Sequence, residues 1–191
     1  MTAPCGPFFR ALLHEDFGWL NKMKRRCGEV SVKAYINKPM KYALNEPPES
    51  PLFILCQADL PRSVRWMIEN GADTRYRNDA TGFNCLHMAV SANSPKNIEI
   101  LLETEGATEM LQERMCEGLT PLEFVYRFAE KTNTPINHRI VELLRTAQSR
   151  QWRTAVAEEL AEMKVVAPPK KSRVVATDTD RIVATDRTIL D

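Results

Sequence analysis

Histidine and glycine are scarce in this chain. Its 191 residues contain three histidines and seven glycines. The histidines, His14, His87 and His138, are far apart in sequence. No His-Glu-x-x-His helix motif, Gly-x-Ser-x-Gly elbow or phosphate-cradling glycine loop occurs. These absences remove familiar routes to metal-assisted hydrolysis, acyl transfer and nucleotide chemistry. Charge of one sign is also missing. The formal net charge is +1, which provides no global field for nucleic acid or membrane. No apolar run approaches the roughly 20 residues that cross a bilayer. Met1 to Pro7 lack the basic-then-apolar pattern of a signal peptide. The five cysteines, at 5, 27, 56, 85 and 116, are odd in number and form no Cys-x-x-Cys pair. Gaps of 29 and 31 between them are too wide for a clustered zinc site. Free thiols in a reducing compartment are expected, which favours cytoplasm or nucleus. No catalytic residue, metal or cofactor is expected.

A motif is present three times. It reads Ser50-Pro51-Leu52-Phe53, Asn84-Cys85-Leu86-His87 and Thr120-Pro121-Leu122-Glu123, with the leucines 34 and 36 residues apart. Each copy starts a helix for a physical reason. Ser50, Asn84 and Thr120 carry oxygens that can accept from free N–H groups of a first turn. Pro51 and Pro121 stand at the first helical position, where a missing N–H costs nothing. Cys85 replaces proline in the middle copy. A period of about 33 residues marks stacked helix-turn-helix elements and favours a binding scaffold over an enzyme.

The second half also recurs. Val64 to Ile68 runs into Asn70-Gly71-Ala72-Asp73, and Ile98 to Leu102 runs into Gly106-Ala107-Thr108. A glycine just past an apolar helical run is expected to end the helix in a left-handed conformation. The third copy, Ile140 to Leu144, has no such glycine and follows a polar insertion from Glu130 to His138. With Gly82 before Asn84-Cys85-Leu86-His87-Met88-Ala89 and Gly118 before Thr120-Pro121-Leu122, the chain resembles an ankyrin-repeat protein over roughly residues 46–148. Phe53 and Glu123 stand where that family has histidine. The resemblance implies an all-α helix-turn-helix solenoid that binds protein partners, with His87 bonding a neighbouring loop.

The expected organisation has four parts. Residues 1–45 form degenerate capping helices, with Asp16 and Gly18 marking a turn, and an irregular connection from about 37 to 49 rich in proline. Residues 46–148 hold the repeats. Residues 149–164 form a C-terminal amphipathic helix with Trp152, Val156, Leu160 and Met163 along one side. Its simpler role is to cover the last repeat; the alternative is to occupy a partner's groove. Residues 165–191 form an extended or disordered tail after Pro168-Pro169. There Arg173-Val174-Val175-Ala176-Thr177-Asp178 is echoed eight residues later by Arg181-Ile182-Val183-Ala184-Thr185-Asp186. The echo is either a second partner contact or a duplicated spacer.

The resemblance places partner contacts on loop tips, 74–79 and 110–115, and on inner-helix positions. Tyr76, Arg77 and Arg114 are the expected anchors, because tyrosine and arginine dominate many interfaces. Asp59, Met88, Asn93, Glu123 and Arg127 are expected to face outward. Cys85 is the thiol to watch, since a helix N-terminus activates thiols; core packing is its simpler role. Lys22, Lys24, Arg25 and Arg26 form a basic cluster. It either complements a helix dipole or binds phosphate on nucleic acid or an acidic peptide. The leading function is a non-catalytic protein-interaction module, an adaptor or an assembly subunit. The alternatives are an enzyme with an unrecognised site and a weak nucleic-acid-binding protein using Lys22–Arg26.

Overall fold

Proline sets half of the helix starts among the described residues. In the computed structural model, five of the twelve prolines stand in the first turn of a helix. These helices are α1 (Pro7–Leu13), α4 (Pro51–Gln57), α5 (Pro61–Glu69), α7 (Pro95–Leu102) and α9 (Pro121–Thr132). The others are α2 (Phe17–Cys27), α3 (Glu29–Ile36), α6 (Cys85–Ser91), α8 (Ala107–Gln112) and α10 (His138–Val165). The structure describes residues 6–41 and 47–165. Among these there is no strand, only isolated bridges between Met40 and Glu49 and between Arg77 and Asn84. The fold is all-α. The chain divides into Met1–Ala155 and Val156–Asp191; of the second part, 156–165 are described and are helical. The echoed Val-Ala-Thr-Asp segments lie outside the described residues.

Eight of the described helices follow one another in pairs across short turns. One non-glycine residue in each turn adopts a left-handed conformation: Glu15 between α1 and α2, Asp59 between α4 and α5, Asn93 between α6 and α7, and Asn133 between α9 and α10, all with φ of 50–52°. Asparagine and aspartate tolerate this region best, which explains three of the four. Helix α4 packs against α6, α6 against α9, and α5 against α7. Leu52, Leu86, Ile98 and Leu101 are fully buried between them. The Ser63 hydroxyl donates to the Leu12 carbonyl at 2.6 Å and Phe8 meets Trp66, tying α1 to α5.

Several local expectations need correction. The first turn is at Glu15; Asp16 caps α2 by accepting from the Trp19 N–H at 3.0 Å, and Gly18 lies inside that helix. Helix α3 is additional. Gly71 is left-handed, with φ 85°, but Gly106 is not, with φ −81°. Gly106 instead starts α8, so Met110, expected at a loop tip, is buried in the core. Part of the insertion after Glu130 is helical: α9 has 12 residues where α4 and α6 have seven each. No separate C-terminal helix begins at 149. No glycine or proline interrupts residues 138–165, so α10 continues through. Trp152, expected to help cover the last repeat, is 70% exposed.

Candidate functional site

Two short loops and one helix build an open, largely apolar surface. The loop from Arg77 to Asn84 closes by the Asn78 N–H donating to the Phe83 carbonyl at 2.9 Å. Asn78 organises its tip, its side-chain oxygen accepting from the Ala80 and Thr81 N–H groups. The loop from Met115 to Leu119 closes in the same way, Met115 N–H to Leu119 carbonyl at 3.0 Å. The loops lie side by side. The Cys116 N–H donates to the Thr81 carbonyl at 2.9 Å, and the Arg77 guanidinium reaches the Gly82 and Arg114 carbonyls.

Between these loops and α9 is a cleft of about 540 Å³. Phe83, Phe124, Phe128 and Met115 form its apolar lining; Cys116, Glu117, Arg127 and Lys131 stand around it. Phe83 meets Phe124 edge-on at 5.0 Å, and Phe124 meets Phe128 at 5.5 Å. The two α9 phenylalanines are four residues apart and therefore share a face. The rim cations are held loosely. Arg127 pairs with Glu130 at 2.9 Å and Lys131 with Glu117 at 4.0 Å, both in the open. Exposed pairs of this kind contribute about 0–1 kcal/mol, so a ligand carboxylate can exchange for either glutamate.

Behind the cleft, His87 and Asn84 join neighbouring segments. Asn84 is buried. Its side-chain oxygen caps α6 by accepting from the His87 N–H at 3.1 Å. Its amide donates to the Met110 carbonyl at 2.8 Å and to Glu113 at 2.7 Å. His87, also buried, stacks on Phe83 at 5.5 Å and donates from Nε2 to the Leu119 carbonyl at 3.1 Å. Burial lowers its pKa to about 4, and the nearby Arg77 charge acts in the same direction. An unfolded histidine titrates near ~6.5. Between these values the unfolded chain takes up a proton that the folded chain refuses. Stability therefore falls as pH falls through that window, by about 1.4 kcal/mol per unit, and the loss is complete below the folded value. Urea denaturation at pH 7 and pH 5 is expected to show this slope in the wild type and a much shallower one in His87→Gln. Equal slopes would assign the acid sensitivity to other groups.

The expected contact residues fall into separate places. Arg77, Arg114 and Glu123 come together and hold structure. Arg114 donates to the Gly118 carbonyl at 2.6 Å and to Glu123 at 3.0 Å. Glu123 completes a capping box with Thr120, and the Thr120 N–H and hydroxyl hold its carboxyl below the usual carboxylate range. Tyr76 is half-buried, edge-on to Phe53 at 5.2 Å. Burial, with Glu49 and Asp79 nearby, pushes its phenol up. Met88 does not face outward: it is 8% exposed and belongs to the core. Asn93 occupies a helix–helix turn and accepts from the Asn137 amide at 2.8 Å. Asp59, also in such a turn, accepts from the Ser94 hydroxyl. Of the expected residues, Arg127 and Met115, the last residue of the expected 110–115 loop tip, line the cleft. Phe83, Phe124 and Phe128 were not anticipated, although the four-residue spacing of Phe124 and Phe128 was a visible signal.

Cys85 is fully buried. The Cys85 thiol beside it, together with burial, pushes the Cys56 thiol well above its usual range. For Cys56 that is the opposite of activation. Among the described residues, Cys27 and Cys116 are the exposed thiols. Among the described residues, no three His, Cys, Asp or Glu side chains converge as a metal site, and no helix is long and apolar enough to cross a membrane. No protein-family model matches the chain, and no curated protein matches it at a significant level.

Proposed function

We propose that the chain is a non-catalytic protein-interaction module built on ankyrin-type repeats. It docks a large apolar side chain of a partner protein in the cleft between the two loops and α9. The observation that carries this reading is the cleft itself. Three phenylalanines and a methionine line an open depression whose rim offers two exchangeable cations. Such a place suits an aromatic or aliphatic anchor surrounded by polar contacts. The sequence period and the paired helices support the repeat assignment. Free thiols support a cytoplasmic or nuclear setting.

The test begins with affinity capture and proceeds to purified components. A partner recovered with the wild-type chain is titrated against Phe128→Asp, Arg127→Glu and Lys96→Glu. Lys96 is exposed on α7 and does not line the cleft. Phe128→Asp is expected to cost about 2 kcal/mol, roughly thirty-fold in affinity. Arg127→Glu should cost less, and Lys96→Glu nothing measurable. A partner that keeps full affinity for Phe128→Asp while losing it for Lys96→Glu would remove the cleft from the reading.

A further inference from the structure

We propose that α2 carries a site for single-stranded nucleic acid, formed by Trp19, Lys22, Arg25 and Arg26. The near-zero net charge conceals a segregation. Residues 1–45 contain eight basic and three acidic residues, a formal +5, and the rest of the chain is −4 against the total of +1. All three acids of the segment are engaged. Glu15 pairs with Arg62 at 2.9 Å, Asp16 caps α2, and Glu29 pairs with Lys24 at 3.4 Å. Among the described residues, Lys22, Arg25 and Arg26 form no ion pair, and all three are exposed.

The helix orients these groups. Leu20 is buried, Phe17 and Met23 are half-buried, and Asn21 accepts from the Trp66 indole N–H at 3.1 Å. Trp19, Lys22 and Arg26 follow at i, i+3 and i+7, so they share a stripe turned away from Leu20. Arg25 flanks it. Trp19 is 37% exposed, and among the described residues its ring makes no aromatic contact. At 1.5 Å per residue the stripe is about 10 Å long, room for two or three nucleotides.

This combination selects among polyanions. Cations in the last turn of α2 complement its dipole, but that role has no use for an exposed indole. An acidic peptide would pair with the cations and leave the ring idle. A membrane surface requires a continuous apolar face, and the other apolar residues of α2 point inward. A single strand uses both parts, its phosphates on the cations and a base stacked on the ring. A duplex keeps its bases stacked on each other and has none to offer the ring.

The experiment measures binding of a fluorescein-labelled oligo-dT of about 20 nucleotides to the full chain by anisotropy, across salt concentrations. Three phosphate contacts predict a slope of log affinity against log salt of about −2, and so about an eighteen-fold loss between 50 and 200 mM. Lys22→Gln with Arg26→Gln should leave a slope of about −0.7. Trp19→Ala should weaken binding roughly five- to 150-fold at constant slope, and Trp19→Phe should restore most of it. Thermal melts of each variant confirm folding. Any one of three results overturns the proposal: no binding at 50 mM salt, equal affinity of Trp19→Ala and wild type, or an oligo-glutamate peptide bound as tightly as the oligonucleotide. Anionic vesicles that bind tighter than the oligonucleotide would overturn it in favour of a membrane surface.

Discussion

Gly82→Ala is expected to destabilise the protein by about 4 kcal/mol, and Gly118→Ala by only about 1 kcal/mol. Both glycines precede a helix-start motif, and both are left-handed, with φ of 71° and 79°. The conformational cost of a Cβ is therefore shared, about 1–2 kcal/mol for each. Their surroundings differ. A Cβ on Gly82 would stand 2.8 Å from the Cys116 backbone nitrogen and 3.1 Å from the Met115 carbonyl carbon. Those are backbone atoms of the next loop and cannot rotate away. Accommodation means separating the loops, which stretches the Cys116-to-Thr81 hydrogen bond and displaces Arg77 from the Arg114 carbonyl. A Cβ on Gly118 meets nothing within 4 Å. Paired urea titrations decide the matter. Equal shifts at the two positions would mean that loop contact is not what makes Gly82 special.

Asn84→Ala is expected to cost about 4 kcal/mol, far more than an ordinary capping residue. Loss of the cap accounts for about 1 kcal/mol. The rest comes from the amide, which satisfies the buried Met110 carbonyl and the half-buried Glu113. Leaving such groups unpaired costs about 1–3 kcal/mol each. The two equivalent positions provide a scale. Thr120 caps α9 through a bond of 3.4 Å, and its hydroxyl donates only within the same turn, to the exposed Glu123, so Thr120→Ala should cost about 1 kcal/mol. Ser50 makes no side-chain cap bond, so Ser50→Ala should change little. Asn84→Asp separates the two roles: it keeps a cap acceptor but sets a carboxylate against Glu113 and a carbonyl. If Asn84→Asp matched wild type in chemical denaturation, the amide would carry none of the effect.

The helix pairs were legible because their signals are local. Proline at a first turn, a capping side chain and an apolar stripe each act within a few residues, and so α4, α5, α6, α7 and α9 follow from reading along the chain. What escaped depends on contacts between distant segments. Gly71 and Gly106 follow similar apolar runs, yet only Gly71 is left-handed, because α8 begins at Gly106. Ser50 and Asn84 read alike as caps, and only the tertiary setting of Asn84 makes it a three-way connector. Glu15 occupies a left-handed turn that its residue type does not favour; its carboxylate is held by Arg62, 47 residues away. The cleft shows the same division. Phe124 and Phe128 share a helix face by spacing alone, but Phe83 and Met115 join them through loop pairing that no single segment encodes. Arg77 and Arg114 have the composition of interface anchors, and the fold employs them as loop clamps.

The open side of Gly118 also has a mechanical consequence. The loop of Gly82 is held edge to edge by the loop that follows it, whereas that following loop has free space beside its own glycine. Tension applied to the two ends of the chain would therefore meet unequal seams. Beyond its Thr81 seam and the His87 bond at Leu119, the Met115–Leu119 loop is tied to α9 by the long Glu117–Lys131 pair, and it is expected to yield first, one bond at a time. The Arg77–Asn84 loop is fastened to Glu49 through Asn78 as well as to Cys116, and must shear both seams to leave. The protein is thus built with a weak edge and a strong middle, and force would read its loops in that order.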